Sequence, residues 1–394
     1  MGGKINYNEL KLSFYDSADL VNKADWNRVT GEKNIYLTLE YLSGLENAMT
    51  GEIEFRYIVF YDKFLTPFAV AYFQLIHLAE KGLKYREIFC RIADRIKNKL
   101  IESIDVKVLL CGNIFACGEN GFAFTSDIKA KEAYHLLAVN MDRIAQEKEE
   151  KRQVSFGIVK EFWPSSTEQS KILIDSSFKD FMIDVNMVLK IQPTWKNMED
   201  YLGAMNTKFR TKANGVFKKS SALKMVNFEA KDILKHIIKI VELYQSVLAN
   251  AEYKFSELSG KAFVNFKQKL NNQFIFRAYF YGEKMVGFSS AFHFGNVLDA
   301  NFVGLDYGFN KDLAIYQRML YDFVALSIEL GATELRLGRT AELVKSSMGA
   351  LPINMVLYAK HRNSISNKLL SPFISSISPS KFELRSPFKK TDQL

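Results

Sequence analysis

Residues 334–351 read ELRLGRTAELVKSSMGAL. Glu334 to Leu337 alternates polar and apolar residues, with Leu335 and Leu337 on one face, as a half-buried strand does. Gly338 allows a sharp exit, Thr340 is a suitable N-cap, and Gly349 is placed to end a short helix. Arg339 and Lys345 lie between those caps. They are two cations just past a strand end, the place where α/β sheets commonly hold their ligands.

Working outward, Leu313–Leu330 is amphipathic, with Ile315, Met319, Phe323, Leu326 and Leu330 along one face. Before it, Phe274–Tyr281, Met285–Phe294 and Val297–Leu305 read as a three-strand meander with turns at Gly282-Glu283-Lys284 and Gly295-Asn296. Trp195–Ala222 is expected as one basic helix, Lys224–Glu229 as a β segment and Asp232–Asn271 as helical. Downstream, Asn354–Lys360 reads as a last strand. After His361 the chain turns Ser- and Pro-rich and basic, and is expected to be partly ordered at best. The first half reads as a helix over Ile35–Ala48, strands over Glu54–Asp62, Pro67–Leu78, Val106–Ala116 and Gly121–Ser126, a long helix over Lys129–Lys151, and strands over Val154–Lys160 and Phe181–Ile191.

A chain of 394 residues is long for a single core, so two domains are expected. The balance of 53 basic against 44 acidic residues gives +9, a modest excess suited to phosphate-bearing small molecules or an anionic surface. It does not compel a nucleic-acid reading, and DNA is not expected as a partner. Cys90, Cys111 and Cys117 have no metal-ligand spacing and read as reduced thiols, which points to the cytoplasm. The N-terminus lacks the apolar core of a signal peptide. Leu65–Leu78, the longest apolar run, falls short of the roughly 20 residues a membrane helix needs. No transmembrane segment and no metal are expected.

The order helix, helix, three-strand meander, long helix, strand, short helix, strand resembles the GNAT acyltransferase fold. Leu202–Lys219 (LGAMNTKFRTKANGVFKK), Tyr281–Phe288 (YGEKMVGF), Val303–Asp306 (VGLD) and Leu337–Ala350 (LGRTAELVKSSMGA) are similar to its CelD and FemAB-like branch. In that branch two GNAT-like domains sit in tandem. The resemblance covers about residues 190–362, and over 1–185 it rests on the order of elements. It implies an α+β protein of two tandem GNAT-like domains, each a mixed, mostly antiparallel sheet flanked by helices. Residues 1–185 would be a degenerate domain on the acceptor side, 186–362 the acyltransferase domain and 363–394 a basic tail.

The activity implied is transfer of an acetyl or longer acyl group from acyl-CoA to a primary amine of a small molecule or a cell-envelope precursor. The donor is a co-substrate, and no permanently bound cofactor is expected. One alternative is a FemAB-type aminoacyltransferase using aminoacyl-tRNA on a lipid-linked acceptor, with peripheral membrane contact. Another is a non-catalytic protein that binds an anionic ligand. GNAT enzymes that bind acyl-CoA carry a glycine-rich turn before the long helix, whose N–H groups cradle the pyrophosphate. Here that position reads DYGFNKDLAIYQ, Asp306–Gln317, with Gly308 as its one glycine.

The resemblance places Lys345 near bound phosphate, where its charge can neutralise a diphosphate or an oxyanion; the plainer reading is a solvated lysine pairing with Glu342. Arg339 is a second candidate for binding. Asp306 can take a proton from an amine, or simply cap a helix, and Tyr307 beside it is a candidate ligand contact. Tyr316 sits where related acyltransferases hold a tyrosine as general acid, although core packing explains it too. His293 is a candidate base and Asn301 a candidate contact, on the strands expected to part around the donor. From Tyr201 to Phe228 there are Lys208, Arg210, Lys212, Lys218, Lys219 and Lys224 and no acid. Lys208, Arg210 and Lys212 can face a phosphorylated acceptor, a tRNA end or an anionic lipid head group, or form a solvated face.

Overall fold

A computed structural model describes residues 10–31, 33–78, 106–146, 154–250, 257–374 and 382–389. The chain divides into two compact units, and each is built on one mixed sheet. Cys90 and the last residues of the helix expected over Lys129–Lys151 lie outside the described residues.

The first unit opens with β1 (Lys11–Tyr15), α1 (Lys23–Thr30), α2 (Leu39–Ala48), β2 (Ile53–Tyr61), β3 (Pro67–Leu78) and β4 (Val106–Cys111). It continues with β5 (Phe122–Phe124), α3 (Ala130–Gln146), β6 (Val154–Phe162), α4 (Pro164–Ser170), α5 (Ile172–Asp175) and β7 (Lys179–Phe181). Strands β1 to β4 pair antiparallel in sequence, and β4 then pairs parallel with β6 across α3. Helix α3 covers the sheet because its Ala133, Leu136, Leu137, Met141 and Ile144 recur at helical spacing and bury against Phe60, Phe73, Leu109 and Val159. Cys111 is buried, which pushes its thiol pKa up and keeps it protonated, while Cys117 is half-buried; both are free thiols.

The second unit holds β8 (Asn186–Lys190), α6 (Met198–Ala204), α7 (Thr207–Lys219), β9 (Leu223–Asn227), α8 (Ala230–Lys235), α9 (Ile237–Asn250) and α10 (Gly260–Leu270). The meander follows as β10 (Phe274–Tyr281), β11 (Lys284–Phe294) and β12 (Val297–Leu305), then α11 (Tyr307–Leu313), α12 (Ile315–Glu329), β13 (Glu334–Arg336), α13 (Glu342–Ser346) and β14 (Leu351–Ile353). Its sheet runs β14-β8-β13-β12-β11-β10-β9, antiparallel except for β12 against β13. Both units therefore share one plan, an antiparallel meander followed by a single parallel step across a helix. The core of the second unit gathers Leu298, Leu335, Leu320, Val324 and Tyr201.

Four sequence expectations are corrected. Trp195–Ala222 is two helices, because the chain breaks at Met205 and Asn206. The last strand, β15 (Val356–His361), belongs to the sheet of the first unit, where it pairs with β6 and β7. The boundary at 362 thus gives way to one at 353/354, set by hydrogen-bonding partners far away in sequence. Beyond β15 two described stretches do not form a separate tail: α14 (Ser364–Ile374) joins the first unit, and residues 382–389 pack on the second. Finally, a short helix, α11, precedes the long one.

Within the second sheet Glu334 faces Lys190 across the β13–β8 ladder and accepts hydrogen bonds from it and from Arg336 Nε at 2.7 Å. Partial burial raises its carboxyl pKa, but those two cations outweigh burial and hold it below the usual 4.5. A depressed folded-state pKa stabilises above the unfolded value and is lost as the pH falls through the folded one. Glu334→Gln is therefore expected to cost about 1 kcal/mol at pH 7, as partly exposed pairs do. The cost should vanish in acid below the folded-state pKa, in urea melts compared across that range.

Candidate functional site

Strands β12 and β13 pair only over Val297–Asp299 and Glu334–Arg336, after which β12 continues to Leu305 without β13. The parting has a local cause. Leu337 N–H donates to Met187 O and Gly338 O accepts from Met187 N–H, while Gly338 turns away at φ +68°. Thr340 and Ala341 follow at φ +62° and +53°, a region that costs a non-glycine residue roughly 1–2 kcal/mol.

Lys345 holds this loop. Its ammonium donates to Arg339 O at 2.6 Å and Gly338 O at 3.4 Å, and the residue is 3% exposed. The N-cap expected at Thr340 falls to Ala341 instead, because the loop is turned by the buried ammonium rather than by a hydroxyl. At that burial Lys345 is not the solvated side chain of the plainer reading. Arg339 is half-buried on the same loop.

At the end of β12, Asp306 caps α11. Its Oδ1 accepts from Gly308 N–H at 3.0 Å, and its Oδ2 lies 3.0 Å from Lys284 Nζ. Slight burial raises its pKa, but Lys284 and the Gly308 N–H prevail and lower it, which makes it a weak base. Ala314, at φ +50°, separates α11 from α12, and Asn310 Oδ1 accepts the Tyr316 N–H at 3.0 Å. Burial drives the Tyr316 hydroxyl pKa far up, with Tyr307 and Glu342 adding to it electrostatically, so that phenol stays protonated. Tyr307 is 44% exposed on α11.

His293 lies elsewhere. The β11–β12 register sets it opposite Leu298, whereas Gly287 faces Leu305, which puts His293 about 20 Å along the sheet from Asp306. Its Nε2 is buried without a hydrogen-bond partner. Asn301 is half-buried midway along β12. The structure therefore groups Asp306, Tyr307 and Tyr316, and leaves His293 apart.

Helix α7 carries Lys208, Arg210 and Lys212. Lys208 and Lys212, four apart and exposed, each sit 6.0 Å from the Phe209 ring. Together with Tyr321 of α12, Met348 after α13 and Arg385 of the C-terminal segment, they line a cavity of about 290 Å³. Arg210 is not among its lining residues. Among the described residues no carboxylate lines this cavity. Like charges at i, i+4 repel unless an anion sits between them. Burial pushes the Tyr321 hydroxyl up to about 12, so it remains a donor. Sequence reasoning missed Tyr321 and Arg385. The available signal was the pair Phe382 and Phe388, large apolar side chains that flank Arg385 in an otherwise mostly polar tail and both pack on the core of the second unit.

No protein-family model matches the sequence, and no curated protein does. Solved structures do. FemX superposes at a TM-score of 0.56 with 11% identity, over 91% of this chain and 99% of that one. A tandem GNAT protein from the clavulanic acid biosynthesis pathway gives 0.53 at 8%, over 90% and 99%. A conserved protein of unknown function from Bacteroides thetaiotaomicron gives 0.51 at 10%, over 89% and 99%. The chain has the tandem GNAT fold.

Identities this low fix the path of the chain and leave its chemistry to its own residues. The segment before the long helix is where the resemblance to acyl-CoA-binding GNAT enzymes would put a glycine-rich turn. Here α11 fills that place, its N-terminus is capped by the Asp306 carboxylate, and Asn310 occupies the Tyr316 N–H. Among the described residues no cluster of three or more His, Cys, Asp or Glu is arranged to hold a metal ion, and no helix is long and apolar enough to cross a membrane.

Proposed function

We propose that the second unit transfers an acyl group from a phosphate-bearing donor to a primary amine. The observation that carries this reading is the cavity lined by Lys208, Lys212 and Arg385, next to the helix that follows the parted strands. Thioesters and aminoacyl esters are already activated, so the protein needs only to bind, orient and stabilise charge. The neutral amine nitrogen attacks the acyl carbonyl to form the C–N bond, and as the tetrahedral adduct collapses the C–S or C–O bond breaks and the proton lost by the nitrogen passes, through water, to the departing thiolate or ribose oxygen. Tyr316, which keeps its proton, is suited to donate a hydrogen bond to the developing oxyanion or leaving oxygen. Asp306, held ionised by Lys284, is suited to orient the amine rather than to strip its proton.

Acyl-CoA is the leading donor, with its phosphates on the lysines of α7 rather than at a helix N-terminus. The second reading, aminoacyl-tRNA, is favoured by α11 and Asn310, which occupy the usual pyrophosphate position. The acceptor is a small-molecule or lipid-linked amine, which extends the reading to cell-envelope precursors and to contact with a membrane surface.

Acetyl-CoA, longer acyl-CoAs and deacylated tRNA, each tested for thermal stabilisation, separate these donors. A ligand at about 100 times its dissociation constant adds roughly 2.7 kcal/mol. Lys208→Ala/Lys212→Ala is expected to weaken the donor that binds by about 10–100-fold, in line with about 1.5–3 kcal/mol for a charged hydrogen bond. Tight binding of an anion with no turnover of any amine would point instead to a non-catalytic binding protein. Wild-type affinity in the double variant would remove the cavity from the donor site.

A further inference from the structure

The C-terminal segment 382–389 is anchored more firmly than a tail requires. The Phe388 ring lies 5.2 Å from the ring centroid of Trp195 and 5.9 Å from that of Tyr201. It also covers Gly349, where a β-carbon would stand 2.0 Å from its Cε2. The backbone is tied as well. Asn206 N–H donates to Pro387 O at 2.8 Å, Lys389 N–H to Ala204 O at 3.1 Å, and Asn206 Nδ2 to Phe388 O at 3.1 Å. Lys389 Nζ donates to Gly203 O at 2.8 Å. All these acceptors and donors cluster at the break between α6 and α7, at the root of the helix that carries Lys208 and Lys212.

Arg385, in the same segment, lines the cavity beside those two lysines. Its guanidinium pairs with Glu383 at 2.7 Å, with side chains 35% and 70% exposed. Exposed pairs of this kind contribute about 0–1 kcal/mol, so Arg385 can exchange Glu383 for a ligand anion at little cost. The guanidinium is also the cation best shaped to grip a phosphate through two hydrogen bonds.

We propose that residues 382–389 form a strap that completes the anion site: Arg385 binds a phosphate of the donor together with Lys208 and Lys212, and Phe388 fixes it in place. This rests on the reading that the cavity takes a phosphate-bearing donor. The shared chemistry is a nucleotide phosphate, carried by coenzyme A or by a tRNA end.

The test titrates the full chain with coenzyme A and, separately, with deacylated tRNA, in wild type and in Arg385→Gln, Arg385→Lys, Phe388→Ala and Lys208→Gln. Whichever probe binds wild type names the source of the phosphate. Arg385→Gln is expected to weaken that probe about 10-fold, with an unchanged ligand-free melting temperature and a shallower salt dependence, since one fewer phosphate contact is neutralised. Arg385→Lys should recover part of the loss. Phe388→Ala should weaken binding to a similar extent and also lower the ligand-free melting temperature. Wild-type binding by Arg385→Gln alongside a loss in Lys208→Gln would overturn the strap and leave the donor reading standing. Wild-type binding by both, or no binding of either probe to wild type, would overturn the donor reading and the strap with it.

Discussion

Lys345→Ala is expected to destabilise the second unit by about 2–4 kcal/mol, seen as a lower urea midpoint for that unit's transition. Buried charged hydrogen bonds contribute about 1.5–3 kcal/mol each, and truncating a buried side chain adds a cavity term. The two carbonyls that Lys345 satisfies, Gly338 O and Arg339 O, belong to the loop that holds Thr340 and Ala341 in left-handed backbone. Without the ammonium that loop loses the partner that offsets its strain, and α13 loses its fixed start. Donor binding should fall as a consequence, because Leu343 and Val344 of this short helix and Ser347 and Met348 just after it line the cavity. Lys345→Met separates the contributions: it keeps most of the volume and loses only the hydrogen bonds, so its cost should be smaller than that of alanine. If Lys345→Ala unfolds at the wild-type midpoint yet fails to bind donor, the lysine faces ligand and the clamp assignment is wrong.

The two halves of this site were unequally legible. The meander could be read because its turns are local: Gly282 and Gly295 adopt φ +57° and +53° between strands of alternating or continuous apolar residues. The long helix α12 was equally plain from its apolar stripe. The partner of a strand is a different matter. Val356–His361 shows strand character in sequence, but nothing local says that β6 and β7 will receive it. The break after Ala204 hides for the same reason, since the Met205–Phe388 bridge that accompanies it comes from the far end of the chain.

Among the site residues, Lys208 and Lys212 stood out by charge without compensating acids. Arg385 did not, because a single arginine in a tail has no periodicity to give it away. Lys345 stood out as a cation past a strand end, but its burial was invisible: lysine is almost never buried unless paired, so the default reading put it in solvent. Asp306 shows the converse. Capping was its plainer reading, and the Gly308 N–H and Lys284 supply the partners for it.

Gly349→Ala should release the C-terminal strap. Gly349 sits at φ +97°, where an alanine costs more than about 1 kcal/mol, and its new methyl would meet the Phe388 ring at 2.0 and 2.5 Å. Overpacking of a seated ring costs about 1–3 kcal/mol more, and the ring has little room to yield between Trp195 and Tyr201. The strap, held at its edges by a few hydrogen bonds, is the part that can leave. We expect limited proteolysis to cut within 382–389 in the variant and to spare that segment in wild type. A loss of about 2–4 kcal/mol in the second unit should accompany the cut, as the sum of those two effects. The double variant Gly349→Ala/Phe388→Ala isolates the clash, because removing the ring leaves only the backbone cost of the alanine. The two substitutions should therefore be less than additive by at least about 1 kcal/mol, the coupling expected of groups in contact. Strict additivity would mean that Phe388 does not rest on Gly349, and the anchoring of Arg385 would have to be sought at Asn206 and Lys389 alone.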